Sequence, residues 1–123
     1  MEQELPDHLT PEAFEVLRNL DEAVAAIHPA LRTIYEENFE DGSIPTPLMA
    51  MAEYTFWATV NRLDEPEAVY GLLSFLERTY SEGDPVVTDC IALMLLENLV
   101  GEPEMIDLLG PRLRDEMTKL TGI

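Results

Sequence analysis

The sequence predicts an all-α protein: three stacked helical hairpins in a HEAT-like αα-superhelix, closed by a short C-terminal capping helix. Three observations predict it. Pro11, Pro29, Pro47, Pro66, Pro85 and Pro103 recur at intervals of 18, 18, 19, 19 and 18 residues. Proline suits the first position of a helix, where its missing N–H has no intrahelical partner, and is costly in a helix interior. Between the prolines, apolar residues recur at steps of three and four, the period of a helix with one buried stripe. Finally, Glu65-Pro66-Glu67 returns as Glu102-Pro103-Glu104, and at the same offset Val69 matches Ile106, Leu72 matches Leu109 and Leu76 matches Leu113. Helices taken in pairs repeat every 36 to 38 residues, as in a stacked helical repeat. Residues 1–9 read as a flexible N-terminal segment and 10–123 as one helical-repeat domain.

The first helix opens at Pro11 behind a potential N-cap, Thr10, whose hydroxyl can accept from a free N–H of the first turn. Phe14, Leu17, Leu20, Val24 and Ile27 form its stripe, with Glu15, Asp21 and Glu22 placed outside it. His28 reads as a boundary residue before Pro29. The second helix carries Leu31, Ile34, Tyr35 and Phe39 and ends at the turn Asp41-Gly42-Ser43. Thr46 then caps a third helix over 47–63. Its Leu48, Met51, Ala52, Tyr54, Phe56, Trp57 and Val60 lie nearly all the way round, so it is expected between other helices.

The fourth helix presents Val69, Leu72, Leu73, Leu76 and Tyr80 inward and stops near Gly83; its Gly71 costs helix propensity and suggests a close helix contact. Asp84 caps the fifth, which runs over 85–100 through Val86, Cys90, Ile91, Met94, Leu95 and Leu99. Gly101 suits a C-cap. A short sixth helix starts at Pro103 with Met105, Ile106, Leu108 and Leu109, and Gly110-Pro111 restarts the chain into a last helix in which Leu113, Met117 and Leu120 close the stack.

The chain has 123 residues, enough for one cored domain, with 25 acids against 7 bases and a net charge of −18. A 46% hydrophobic content argues against disorder. One cysteine excludes an internal disulfide and a cysteine zinc cluster, and the apolar neighbours of Cys90 make it a core thiol. The first residues are acidic and are followed by no apolar run, so no secretory signal is expected, and no stretch has the length of a membrane span. The expected location is cytoplasmic.

Catalytic motifs are missing from the sequence. His8 and His28 are too few and too far apart for a zinc site, and no phosphate loop, serine elbow, Glu-x-x-His pair or EF-hand spacing occurs. The acidic run Glu36-Glu37-Asn38-Phe39-Glu40-Asp41 reads as a solvated helix end, because helical spacing spreads its carboxylates outward. No metal and no cofactor are expected. Glu53, Asp89, Glu97 and Asn98 interrupt apolar helices; structural pairing with Arg62, Arg78 or Arg112, or simple exposure on the one free face of the helix, accounts for them more simply than a ligand site does.

Charge is the strongest functional signal. Some acids follow helix-opening prolines, as Glu12, Glu67 and Glu104 do, where the helix dipole favours them. Others are expected to share one side of the stack: Glu36, Glu37, Glu40, Asp41, Glu67, Glu77, Glu104 and Asp107. Such a surface repels nucleic acid and anionic membranes and speeds association with a basic protein. The expected function is therefore a non-enzymatic module that masks a basic partner, a toxin or a nucleic-acid-binding protein such as a nuclease. Solubility or adaptation to a salty cytoplasm explains the same acidity.

Leu95-Leu96-Glu97-Asn98-Leu99, followed by Leu108-Leu109-Gly110-Pro111-Arg112-Leu113, resembles the C-terminal signature of a poorly characterised family of small, acidic, all-helical bacterial proteins. The resemblance covers roughly the last 75 residues. Some such proteins sit beside secreted polymorphic toxins, which implies immunity proteins that neutralise a toxin by binding it. The family pattern favours an aromatic residue before the Glu-Asn pair and a histidine near the third helix. This chain has Leu96 and no histidine there, so the resemblance carries over no functional residue.

Two other classes have their own signatures. A structural or scaffold subunit would expose Tyr70, Phe75 and Met117 as an apolar patch. A small helical enzyme would gather Glu53, Tyr54, Trp57, Asp89, Glu97 and Asn98 into one pocket.

Overall fold

The computed structural model describes residues 11–39 and 47–121, and the regular structure among them is entirely helical. The helices are α1 (Pro11–Ala25), α2 (Pro29–Phe39), α3 (Pro47–Asn61), α4 (Pro66–Ser81), α5 (Pro85–Ile91), α6 (Pro103–Ile106) and α7 (Pro111–Thr121). Each of them begins with proline, so the punctuation seen in the sequence is used at every start, Pro111 included. The all-α class follows directly.

Local chemistry fixes the boundaries. Asp84 Oδ1 accepts from the Val86 N–H at 2.9 Å, capping α5. His28 does the same for α2, its Nδ1 accepting from the Ala30 N–H at 3.0 Å. Thr10 and Thr46, expected as caps, lie outside the described residues. Gly83 and Gly101 take φ of +82° and +88° after α4 and after the α5 segment, a backbone conformation in which a Cβ would be strained.

Two segments depart from the expected pattern. The fifth helix is α-helical only to Ile91, then widens into a π turn over Ala92–Leu96 and tightens into a 3₁₀ turn over Glu97–Leu99. The Glu97 N–H reaches Ala92 O, five residues back. Met94 O receives the Asn98 side-chain amide at 2.9 Å and the buried Thr55 hydroxyl of α3 at 3.3 Å. The sixth helix is a single turn, and Leu108 and Leu120 are 41% and 45% exposed instead of closing the core. Gly71 permits no unusually close approach either: a Cβ there would meet Ile27 Cγ2 at an ordinary 3.8 Å.

α3 is the hub of the packing, with α1, α2, α4, α5 and the π and 3₁₀ turns all against it. Along the chain α1 packs on α2, α2 on α3 and α4 on α5, with lighter contacts of α3 on α4 and of the 3₁₀ turn on α6. α1 also lies against α5, and α7 against α4 and the π turn, so α1, α3 and α5 converge on one core. Leu17, Leu20 and Val24 of α1 meet Met51, Tyr54 and Ala58 of α3 there, with Leu72, Leu73 and Leu76 of α4 and Ile91, Leu95 and Leu96 of the α5 segment.

Candidate functional site: an acid-walled apolar groove

α3 is expected to be covered on all sides, yet among the described residues no helix lies over one stripe of it. Phe56 is 71% exposed and Val60 59%, and Leu63, just beyond the helix, is 78% exposed. With Ala52 and Trp57 of α3 and Ile34 of α2, these first two residues line a groove of about 440 Å³ between the helices. Its polar walls are Glu37, Glu53 and Asn61, with no lysine or arginine among the lining residues. Burying a phenylalanine and a valine contributes roughly 1.5–3 kcal/mol each, so the uncovered stripe represents substantial unused apolar surface.

The groove is held by a hydrogen bond between its helices and by rings at its end. The Asn38 side-chain amide of α2 donates to Glu53 Oε2 of α3 at 2.7 Å and to Ile34 O at 2.9 Å, fixing the Glu53 carboxylate on the wall. The His28 ring packs on Trp57 with centroids 5.0 Å apart, and its Nε2 lies 3.5 Å from Glu65 Oε2. Another apolar groove, formed by Val100, Ile106, Met117 and Leu120, contains Arg114. The groove between α2 and α3, by contrast, combines an aromatic floor with walls of a single charge.

The expected acidic side is distributed unevenly by the fold. Glu37 stands on the groove wall. Glu36, on the same helix, is exposed and pairs with Arg32 at 3.2 Å. Glu67 is exposed in the first turn of α4. Glu77 points into the contact between α4 and α7, its two oxygens accepting from the Arg112 and Leu113 N–H groups at 3.0 and 2.9 Å. Glu104 reaches back to Arg62 at 2.6 Å. Asp107 is exposed after α6, its backbone oxygen accepting from Arg114 at 2.6 Å. Glu40 and Asp41 lie outside the described residues. The fold therefore brings Glu37 together with Glu53, which residue type alone marked only as an interruption of an apolar helix.

The six residues of the enzyme reading do not meet. Glu53 and Trp57 line the groove, Asp89, Glu97 and Asn98 are exposed on the α5 segment, and Tyr54 points into the core. The scaffold patch is not contiguous either, since Tyr70 is exposed but Phe75 is half-buried and Met117 buried. Among the described residues no group of three histidine, cysteine or acidic side chains converges as a metal site, and no helix is long and apolar enough to cross a membrane.

One buried group overturns the sequence expectation. Asp21, placed outside the stripe of α1 by its chemistry, is 1% exposed, and neither carboxylate oxygen has a hydrogen-bond partner. Its position explains this, four residues after Leu17 and three before Val24, within the buried face. Burial pushes its carboxyl up to about 9. The Tyr54 hydroxyl is also buried and unpartnered, and burial, then Asp21, raise it far above the ordinary phenol range. Burial and Asp21 likewise push the Cys90 thiol up to about 12, consistent with an inert core cysteine.

No family model matches this chain, and neither a curated protein nor a solved structure matches it.

Proposed function

We propose that this protein is a non-enzymatic binding module that masks a basic protein partner, with the groove between α2 and α3 as its principal contact. The observation that carries this reading is the pairing of exposed Phe56 and Val60 with the carboxylates of Glu37 and Glu53 in a groove that no cation lines. An amphipathic segment with apolar anchors and flanking lysines or arginines satisfies both features: the anchors bury the floor and the cations meet the walls. The net charge of −18 adds long-range attraction for a cationic partner and opposes self-association. A toxin or nuclease, whose phosphate-binding surface is cationic, is the proposed partner class, in line with the immunity proteins that the C-terminal segment resembles. A scaffold role draws on the same exposed stripe but leaves its acidic walls without a purpose.

The test is affinity capture from the native host with the wild type, Phe56→Ser and Glu37→Lys/Glu53→Lys, at low and moderate salt, followed by association kinetics on the captured protein. A basic partner held by the wild type and weakened at least ~10-fold by either variant supports the reading, with the charge reversal acting mainly on the association rate. Equal capture by all three proteins, or a partner without excess positive charge, refutes it.

A further inference from the structure

We infer that α1 is a proton-dependent latch: it docks on α3 and α5 with the Asp21 carboxyl protonated, and ionisation of Asp21 releases it from them. The inference rests on geometry. Asp21 lies within the packed face of α1, between Leu17 and Val24, at 1% exposure and with both oxygens unpartnered. A carboxylate without partner or countercharge is among the costliest groups to bury, whereas a neutral carboxyl costs far less. The docked state therefore selects the protonated form.

Among the described residues none of the elements packed on α1 supplies a cation to change that balance. α2 contributes Tyr35, whose hydroxyl interacts with Arg18 of α1 at the surface. α3 contributes Tyr54, itself unpartnered, with Glu53 on the opposite, exposed side of that turn. α5 contributes the Cys90 thiol, with Asp89 exposed beside it. On α1, Glu15 and Glu22 are exposed acids that add no compensation. Once α1 leaves the core, Asp21 regains water and its ordinary acidity, so at neutral pH each opening event releases a proton. Opening then becomes easier as pH rises. Residues 26–28 form the turn about which α1 can move, with the Ala26 and Ile27 N–H groups bonded back to Ala23 O and Val24 O. Release uncovers the core faces of α3 and α5 that α1 packs against.

Hydrogen exchange of the full chain, followed by mass spectrometry between about pH 6 and about pH 8.5 and corrected for the intrinsic pH dependence of exchange, tests the latch. In the wild type, protection of the α1 amides should be lower than that of the core amides of α4 and α7 at every pH and should fall up to ~10-fold per pH unit; in Asp21→Asn the α1 protection should be flat. Three outcomes overturn the inference: pH-independent α1 protection in the wild type, the same slope in Asp21→Asn, or α1 protection equal to that of α4 and α7 at every pH, which is opening by global unfolding alone. A carbon-13 titration of the wild-type Asp21 carboxyl stands independently of the variant's folding. Ionisation in the ordinary aspartate range would also overturn the latch.

Discussion

The Glu77 carboxylate of α4 accepts from the Leu113 N–H at 2.9 Å and from the Arg112 N–H at 3.0 Å, so one side chain caps a helix that begins 34 residues later in the chain. Two donors that the first turn of α7 leaves free are thereby satisfied, and a negative charge stands at the positive end of the helix. The contact also fixes α7 on α4, and it explains Gly110. A Cβ at that position would lie 2.6 Å from Glu77 Cδ and Cγ, so the carboxylate reaches the helix end only across a residue with no side chain. The Leu-Gly-Pro-x-Leu pattern is thus more than helix punctuation.

Glu77→Ala should lower stability by about 1–2 kcal/mol, the usual cost of losing a charged cap. Gly110→Ala should cost a similar amount by displacing Glu77. In the Glu77→Ala background, Gly110→Ala should cost almost nothing, since the group it displaces is gone. Urea denaturation of the four proteins measures the coupling, and additive losses would disprove this account of Gly110.

Gly71 provides the contrast. It lies inside α4 with only an ordinary contact at 3.8 Å awaiting a Cβ, so helix propensity should dominate. Gly71→Ala is expected to raise stability by about 0.5–1 kcal/mol, visible as a higher midpoint in the same denaturation experiment. A loss would mean that Ile27 cannot accommodate even a methyl group.

Asp21 sets a pH dependence of global stability whose sign follows from its raised carboxyl. With a folded value of about 9 against an ordinary 3.8, its contribution is fully present below about pH 4 and is lost as pH rises towards about pH 9. The slope between these limits is at most about 1.4 kcal/mol per pH unit. Asp21→Asn removes this slope, and the variant should overtake the wild type in stability as the solution becomes neutral to alkaline. Chemical denaturation at several pH values, read as the difference between the two proteins, isolates this group from the acids they share. A difference that stays constant across the range would show that Asp21 is not buried uncharged.

Where the chain turns and which class it adopts were legible in the sequence. Proline at a helix start acts through its own ring and missing N–H, glycine after a helix through its own φ, and Asp84 through a neighbour two residues away, so each signal is local. Leu17, Leu72 and Leu113 declared their inward faces by helical spacing. The same spacing placed Asp21 among them, although its chemistry argued the other way; position prevailed because a helix cannot rotate one residue out of its buried face.

The sequence by itself determined helical class, helix starts, the apolar stripes and the charge. Only the tertiary structure decided which acids remain on a surface and which become structural parts. Glu77 became the cap of α7, Glu104 a tie to Arg62 and Glu53 a groove wall braced by Asn38, because each meets a partner at least 15 residues away in the chain. The exposed stripe at Phe56 and Val60 has the same origin. An all-round apolar helix announces that it will be covered, but the number of neighbours that reach it depends on how α1, α2, α4 and α5 pack around it, and a local pattern carries no record of that geometry.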